Sequence, residues 1–168
     1  MHKQRLYIIT GLPYSGKTTL KTEIVKLFNF PVVSVDEFLD IGNYMVEEME
    51  QKDWDEVYSQ AFSKLKKLLP KGNSVIFDGG SLLISERETL KNIAAEQNIP
   101  HKLIYVNTPK EVIRKRWLEN QKLKTRGHVE ENTLNKAFEM FEEPTAKENV
   151  MIYDSKIPIE IWVKDNIS

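Results

Sequence analysis

Residues 11–18, Gly11-Leu12-Pro13-Tyr14-Ser15-Gly16-Lys17-Thr18, form a G-x-x-x-x-G-K-[ST] motif between the apolar run Leu6-Tyr7-Ile8-Ile9 and a helical pattern. That context is what a phosphate-binding loop requires. Glycines let the backbone curl so that successive N–H groups point at phosphate oxygens. The helix that follows adds its positive N-terminal dipole. Lys17 is placed to reach the β- and γ-phosphates and Thr18 to bind Mg²⁺. Gly11, Pro13, Tyr14, Ser15, Gly16, Lys17, Thr18 and the adjoining Thr19 are the expected nucleotide-binding set. An ordinary glycine turn before a helix is the bland alternative.

Two carboxylates flank this loop in the expected layout. Asp78 ends the apolar run Ser74-Val75-Ile76-Phe77, as the acidic residue of a Walker-B-like strand does, and is the expected second Mg²⁺ group beside Thr18. Asp78-Gly79-Gly80 is also a good turn sequence by itself. Asp36 ends the run Phe30-Pro31-Val32-Val33-Ser34-Val35. Phosphoryl transfer to a hydroxyl needs a carboxylate to orient the acceptor and take its proton. Asp36 fits that role, with Glu37 its rival and a helix N-cap its structural alternative. Residues 110–126 hold Lys110, Arg114, Lys115, Arg116, Lys122, Lys124 and Arg126 against Glu111 and Glu119. A basic helix–loop–helix of this kind reads as a lid that closes on a triphosphate, with Arg116 and Arg126 as its phosphate-directed arginines; a solvated cationic face is the other reading. His128 adjoins this segment and could touch nucleotide, whereas His101, Trp54, Trp117 and Trp162 read as structural.

The elements that position these groups follow from periodicity. Strands are expected near 5–10, 30–35, 74–77, 101–106 and 150–153, with a further one at 159–163; helices near 17–28, 53–69, 85–97, 110–121 and 129–141. Capping boxes are expected at Asp53/Glu56 and Ser85/Glu88, and a helix start at Thr108-Pro109. Strand–helix alternation implies an α/β fold, a parallel sheet with helices on both faces and active groups beyond the strand C-termini.

The 168 residues suit one domain, 1–168, with a lid at about 110–130. A net charge of −1 lacks the global basic field of a duplex-binding protein, and the absence of cysteine excludes disulfides. No run is long enough for a signal core or membrane span, so a cytoplasmic location is expected.

The chain resembles the small P-loop kinases that include polynucleotide 5′-kinases, zeta-type toxin kinases and chloramphenicol phosphotransferase. The resemblance rests on G-L-P-Y-S-G-K-T-T, V-S-V-D-E-F, V-I-F-D-G-G with Ser85-Glu86-Arg87, T-P-K-E-V-I-R-K-R, Arg126-Gly127-His128-Val129-Glu130-Glu131 and Phe141-Glu142-Glu143-Pro144. It implies a three-layer fold with a five-stranded sheet in the order 2-3-1-4-5, and transfer from ATP·Mg²⁺ to a hydroxyl. It also implies Asp36 as base, Asp78 on the metal side, Arg116 and Arg126 in the lid, and a family arginine at Arg87. Two positions depart from the pattern. Leu39 stands where polynucleotide kinases carry an arginine for the substrate phosphate, and Asn120 stands where a second lid arginine is expected. The expected acceptor is therefore a small hydroxyl-bearing molecule. A polynucleotide or nucleotide-sugar kinase and a non-catalytic ATP-binding regulator remain the alternatives.

Overall fold

The computed structural model describes residues 3–167. Five strands, β1 (Leu6–Thr10), β2 (Val32–Ser34), β3 (Val75–Asp78), β4 (His101–Val106) and β5 (Val150–Tyr153), form one sheet in the order β2-β3-β1-β4-β5. All four pairings are parallel. The order matches that implied by the resemblance. Among the described residues six α-helices lie between the strands and a seventh follows β5: α1 (Lys17–Phe28), α2 (Val35–Ile41), α3 (Gln51–Leu68), α4 (Ile84–Glu96), α5 (Lys110–Leu123), α6 (Glu131–Met140) and α7 (Ile159–Asn166).

The central strand shows why helices must cover both faces. Every residue of β1 is buried. Because side chains alternate along a strand, Leu6 and Ile8 pack with Val57, Ala61 and Leu65 of α3 and Leu90 of α4, while Tyr7 and Ile9 pack with Leu20 and Ile24 of α1 and Trp162 and Val163 of α7. Each such fully buried aliphatic side chain contributes roughly 1.5–3 kcal/mol. A third cluster lies at the sheet's C-terminal end, where Leu12 and Tyr14 meet Ile113, Trp117, Leu134 and Ala137 of α5 and α6.

Three expectations need correction. Residues 159–163 form the start of α7, not a sixth strand. Ile159, Trp162, Val163 and Ile167 recur at helical spacing and pack under β4 and β5, and this amphipathic stripe overrides the β-branched composition. The second strand ends at Ser34, so Asp36 lies in the first turn of α2. The capping carboxylates fall earlier than expected: Asp53 Oδ2 accepts from Glu50 N at 2.9 Å, and Glu86 Oε2 from Leu83 N at 3.0 Å. No described helix is long and apolar enough to cross a membrane.

Candidate active site

The loop after β1 is shaped by close approach. A Cβ on Gly11 would stand 2.8 Å from Val106 O and 2.9 Å from Ser15 Oγ. Gly16, at φ 105°, occupies the left-handed region before α1, where a side chain is strained. Tyr14 adopts φ 62° although it is not glycine. Backbone strain of this kind persists where the surroundings over-determine it, and they do here. Arg116 Nη1 donates to Tyr14 O at 2.9 Å and Thr108 Oγ1 to Ser15 O at 2.7 Å. The Tyr14 hydroxyl accepts from Asn120 Nδ2 at 3.3 Å and Val129 N at 3.4 Å. The Arg126 guanidinium lies 4.2 Å above the Tyr14 ring centroid, within cation–π range. These bonds draw the loop's carbonyls toward α5 and its following segment.

Asn120, at the position where a second lid arginine is expected, has a place of its own in this network. It is buried, and its Oδ1 also accepts from Thr125 Oγ1 at 3.3 Å and Arg126 N at 3.2 Å, fixing the turn that carries Arg126.

A cavity of about 680 Å³ opens beyond the strand C-termini. Pro13, Tyr14, Ser15, Gly16, Lys17, Thr18, Thr19, Asp36, Asp78, Arg116 and Arg126 all line it. Gly11 lies behind the loop against Val106. Glu37 does not line the cavity; its carboxylate pairs with Lys64 at 2.6 Å. His128 stacks on Trp117 at 5.7 Å instead of entering the cavity. Arg87 is buried away from it, bonded to Glu148 at 2.7 Å and to the carbonyls of Ser81, Leu82 and Glu142. Its place is structural: it ties the start of α4 to the chain before β5.

Lys17 Nζ donates to Gly11 O and Leu12 O, each at 2.8 Å. Burial is the main reason its pKa falls to about 8; Asp78 and Asp36 oppose the fall and Arg126 adds to it. The Asp36 carboxyl is raised above the ordinary aspartate value, first by desolvation and then by the like charge of Asp78, with Lys21 and Lys17 pulling the other way. Lys21 sits one turn after Lys17 on α1, and its Nζ meets Asp78 Oδ2 at 2.6 Å. Lys21, Trp54 and Tyr58 escaped the sequence reading. For Lys21 the available signal was its i+4 spacing from Lys17, which puts both ammonium groups on one helix face. Trp54 and Tyr58 of α3 line the cavity. Burial keeps the Tyr58 hydroxyl protonated, and it donates to Gly79 O at 3.0 Å. Trp117 and Trp162 are buried as expected; Trp54 is the tryptophan that departs from the packing expectation.

The donor types suit a nucleoside triphosphate with Mg²⁺. Ser15 Oγ is buried in the loop with no hydrogen-bond partner among the described residues. Thr18 is exposed at the cavity, and Asp78, at the end of β3, lines the same cavity. The described residues hold no cluster of three or more His, Cys, Asp or Glu that would make an all-protein metal cage. Mg²⁺ commonly binds through one or two protein oxygens, phosphates and water, which fits one hydroxyl and one carboxylate.

The sequence model of the family described as an AAA domain matches residues 6–144. A shikimate kinase from Clostridium botulinum (strain Okra / Type B1) is 28% identical over 123 residues, 68% of this chain and 65% of that protein, so the match spans a little under two thirds of the relative's length. Among solved structures, Chaetomium thermophilum Kti12 in complex with ADP-AlF3 superposes with a TM-score of 0.73 at 19% identity, covering 97% of this chain and 99% of that one. The Mycobacterium tuberculosis APS kinase CysC, in complex with AMPPNP and APS, superposes with a TM-score of 0.68 at 16% identity, covering 98% and 96%. At these identities the structural likenesses establish the fold.

Proposed function

This chain belongs to the AAA-domain family, and on that premise we propose that it is a P-loop kinase moving the γ-phosphoryl group of ATP to a hydroxyl of a small molecule. We read residues 1–168 as one kinase domain, with about 110–130 as its lid. The observation that carries the proposal is the shared cavity: the phosphate loop with Lys17 on one side and the Asp36 carboxylate on the other. The kinase among the sequence relatives supports the same reading.

In this reading the loop N–H groups and Lys17 hold the triphosphate, and Thr18 and Asp78 hold Mg²⁺. When bound, Mg²⁺ neutralises phosphate charge and orients the transferring group. Asp36 accepts the proton of the acceptor hydroxyl as its oxygen attacks. Its raised pKa makes the carboxylate a better proton acceptor than an ordinary aspartate. Arg116 and Arg126 neutralise charge on the phosphoryl group in flight, and the segment that carries them excludes water that would waste ATP. Leu39 and the acidic run 47–56 disfavour a polynucleotide acceptor.

The test is ADP release measured across hydroxyl metabolites, antibiotics and 5′-hydroxyl oligonucleotides. Stimulation by small hydroxyl compounds that is lost in Lys17→Ala supports the proposal. ATP binding without transfer to any of them would leave a nucleotide-binding regulator instead.

A further inference from the structure

We propose that the acceptor half of the cavity selects a hydroxyl compound that carries an ammonium group beside an apolar or aromatic face, and rejects carboxylated or phosphorylated acceptors. This rests on the kinase reading above and specifies its substrate.

Charge divides unevenly across the cavity. Its lining cations are Lys17, Arg116 and Arg126, and each is engaged with the phosphate loop itself. Lys17 binds the Gly11 and Leu12 carbonyls, Arg116 the Tyr14 carbonyl, and Arg126 the Tyr14 ring. They belong to the nucleotide half. A second part of the lining comes from α2, α3, the end of β3 and the turn after it, and its side chains are Val35, Asp36, Leu39, Trp54, Tyr58 and Asp78. Of its two carboxylates, Asp78 is already paired with Lys21, which leaves Asp36 as the carboxylate that lines the cavity without an ion-pair partner at contact distance.

Cations close to the wall are already paired. Lys21 pairs with Asp78, and Lys64 pairs with Glu37 while lying 5.8 Å from the Phe38 ring centroid. The chain around Trp54 is acidic as well. Glu47, Glu48, Glu50 and Asp55 are exposed there, and the lone lysine among them, Lys52, pairs with Glu50 at 2.9 Å. A carboxylate or phosphate placed against this wall would lose its water and meet the Asp36 charge, while the nearby ammonium groups of Lys17 and Lys21 are already bonded to the loop carbonyls and to Asp78. Such a group is strongly disfavoured.

The same wall attracts a cation for two separate reasons. The Asp36 carboxylate provides Coulomb attraction in a partly desolvated setting. Trp54 and Tyr58, with ring centroids 6.4 Å apart, put two aromatic rings on the cavity lining, where an ammonium group or a hydrocarbon can meet them. The hydroxyl of Tyr58 is already committed to Gly79 O, so its ring is held in place on the wall. An acceptor matched to this surface carries positive charge near Asp36 and an apolar body on Trp54.

The test uses a matched set of ring-bearing alcohols that differ in charge: 4-(hydroxymethyl)benzylamine, 1,4-benzenedimethanol and 4-(hydroxymethyl)benzoate, with shikimate and gluconate as further anions. Binding to the full chain saturated with AMPPNP and Mg²⁺ is read by calorimetry, and ADP release is read separately with ATP. The expected result is that the ammonium compound binds roughly tenfold or more tightly than the neutral and anionic probes. Trp54→Leu should remove most of that advantage and Trp54→Phe should keep it. Leu39→Arg should move the preference toward the anions; circular dichroism and retained AMPPNP binding show that each variant is folded. Failure of the ammonium compound to outbind its neutral and anionic partners overturns the proposal. So does an unchanged preference in both Leu39→Arg and Trp54→Leu. ADP release driven by anionic acceptors alone would retire this substrate class and keep the kinase. Ammonium-selective binding with no hydroxyl compound ever stimulating ADP release would retire the kinase and keep the site.

Discussion

The ammonium of Lys21 lies 2.6 Å from Asp78 Oδ2, on the carboxylate proposed to hold Mg²⁺, and both side chains are largely shielded, with 21% and 14% of their surface exposed. A partly buried pair of this kind is worth more than a surface one, because less water screens it. Metal binding at Asp78 must therefore share or displace Lys21. Lys21→Met should lower the Mg²⁺ concentration needed for half-maximal ATP binding by roughly tenfold, the equivalent of about 1.4 kcal/mol of released competition. Asp78→Asn should raise it. Magnesium titrations followed by calorimetry check both; an unchanged requirement in Lys21→Met would mean the pair opens without cost.

Asp36→Asn should leave the Kd for ATP within about twofold while slowing phosphoryl transfer by roughly 10²–10⁴-fold, the usual contribution of a positioned base. The base must be ionised to act. Since desolvation and Asp78 raise its pKa, transfer in the unaltered protein should fail on acidification at a higher pH than an ordinary aspartate would dictate. The pH profile of single-turnover transfer measures this directly. Full transfer by Asp36→Asn would remove the carboxylate from the mechanism.

Lys17 makes a prediction at the alkaline end. Its pKa in the protein without nucleotide is about 8, and phosphate charge beside it must raise that value. Between the two values, ATP binding takes up a proton. Affinity for ATP should thus be flat below about pH 8 and fall above it, by at most about tenfold per pH unit for one linked proton. Calorimetry at pH 9 in buffers of different ionisation enthalpy should show the uptake, and Lys17→Met should abolish it.

Asn120→Ala should loosen the proposed lid and destabilise the fold together. It strips partners from the Tyr14 hydroxyl, Thr125 and Arg126 N, all held through one buried amide. A loss of about 2 kcal/mol is expected, or a Tm lower by roughly 4–8 °C for a chain of this size. Hydrogen exchange at residues 124–130 should rise above the global change. Uniform exchange across the chain would show that Asn120 stabilises the fold without steering the lid.

The sequence displayed those features that a local rule governs. The phosphate loop is readable because glycine spacing, a preceding apolar strand and a following helix are all local. Asp36 and Asp78 are readable because both follow apolar runs that end at the C-terminal ends of the strands. The order of strands came through resemblance, since no local pattern states which strands are neighbours. What stayed illegible was non-local. Asn120 read as a missing arginine because its four hydrogen bonds reach back to Tyr14 and forward to Thr125 and Arg126. Trp54 read as packing because its cavity exists only once α2, α3 and the turn after β3 meet. Residues 159–163 read as a strand because a short apolar run carries both periods until its neighbours choose one.

Position 14 is nominally one of the four free letters of the phosphate-loop motif, yet here it is spoken for. Its backbone is left-handed, its carbonyl is held by Arg116, its hydroxyl by Asn120 and Val129, and its ring supports Arg126. Any engineering or drift at Tyr14 therefore has to be a joint move with 116, 120 and 126. In sequence comparison these four positions should vary as a block, and a donor loop grafted from another phosphate-binding protein should work only when its matching lid is grafted with it.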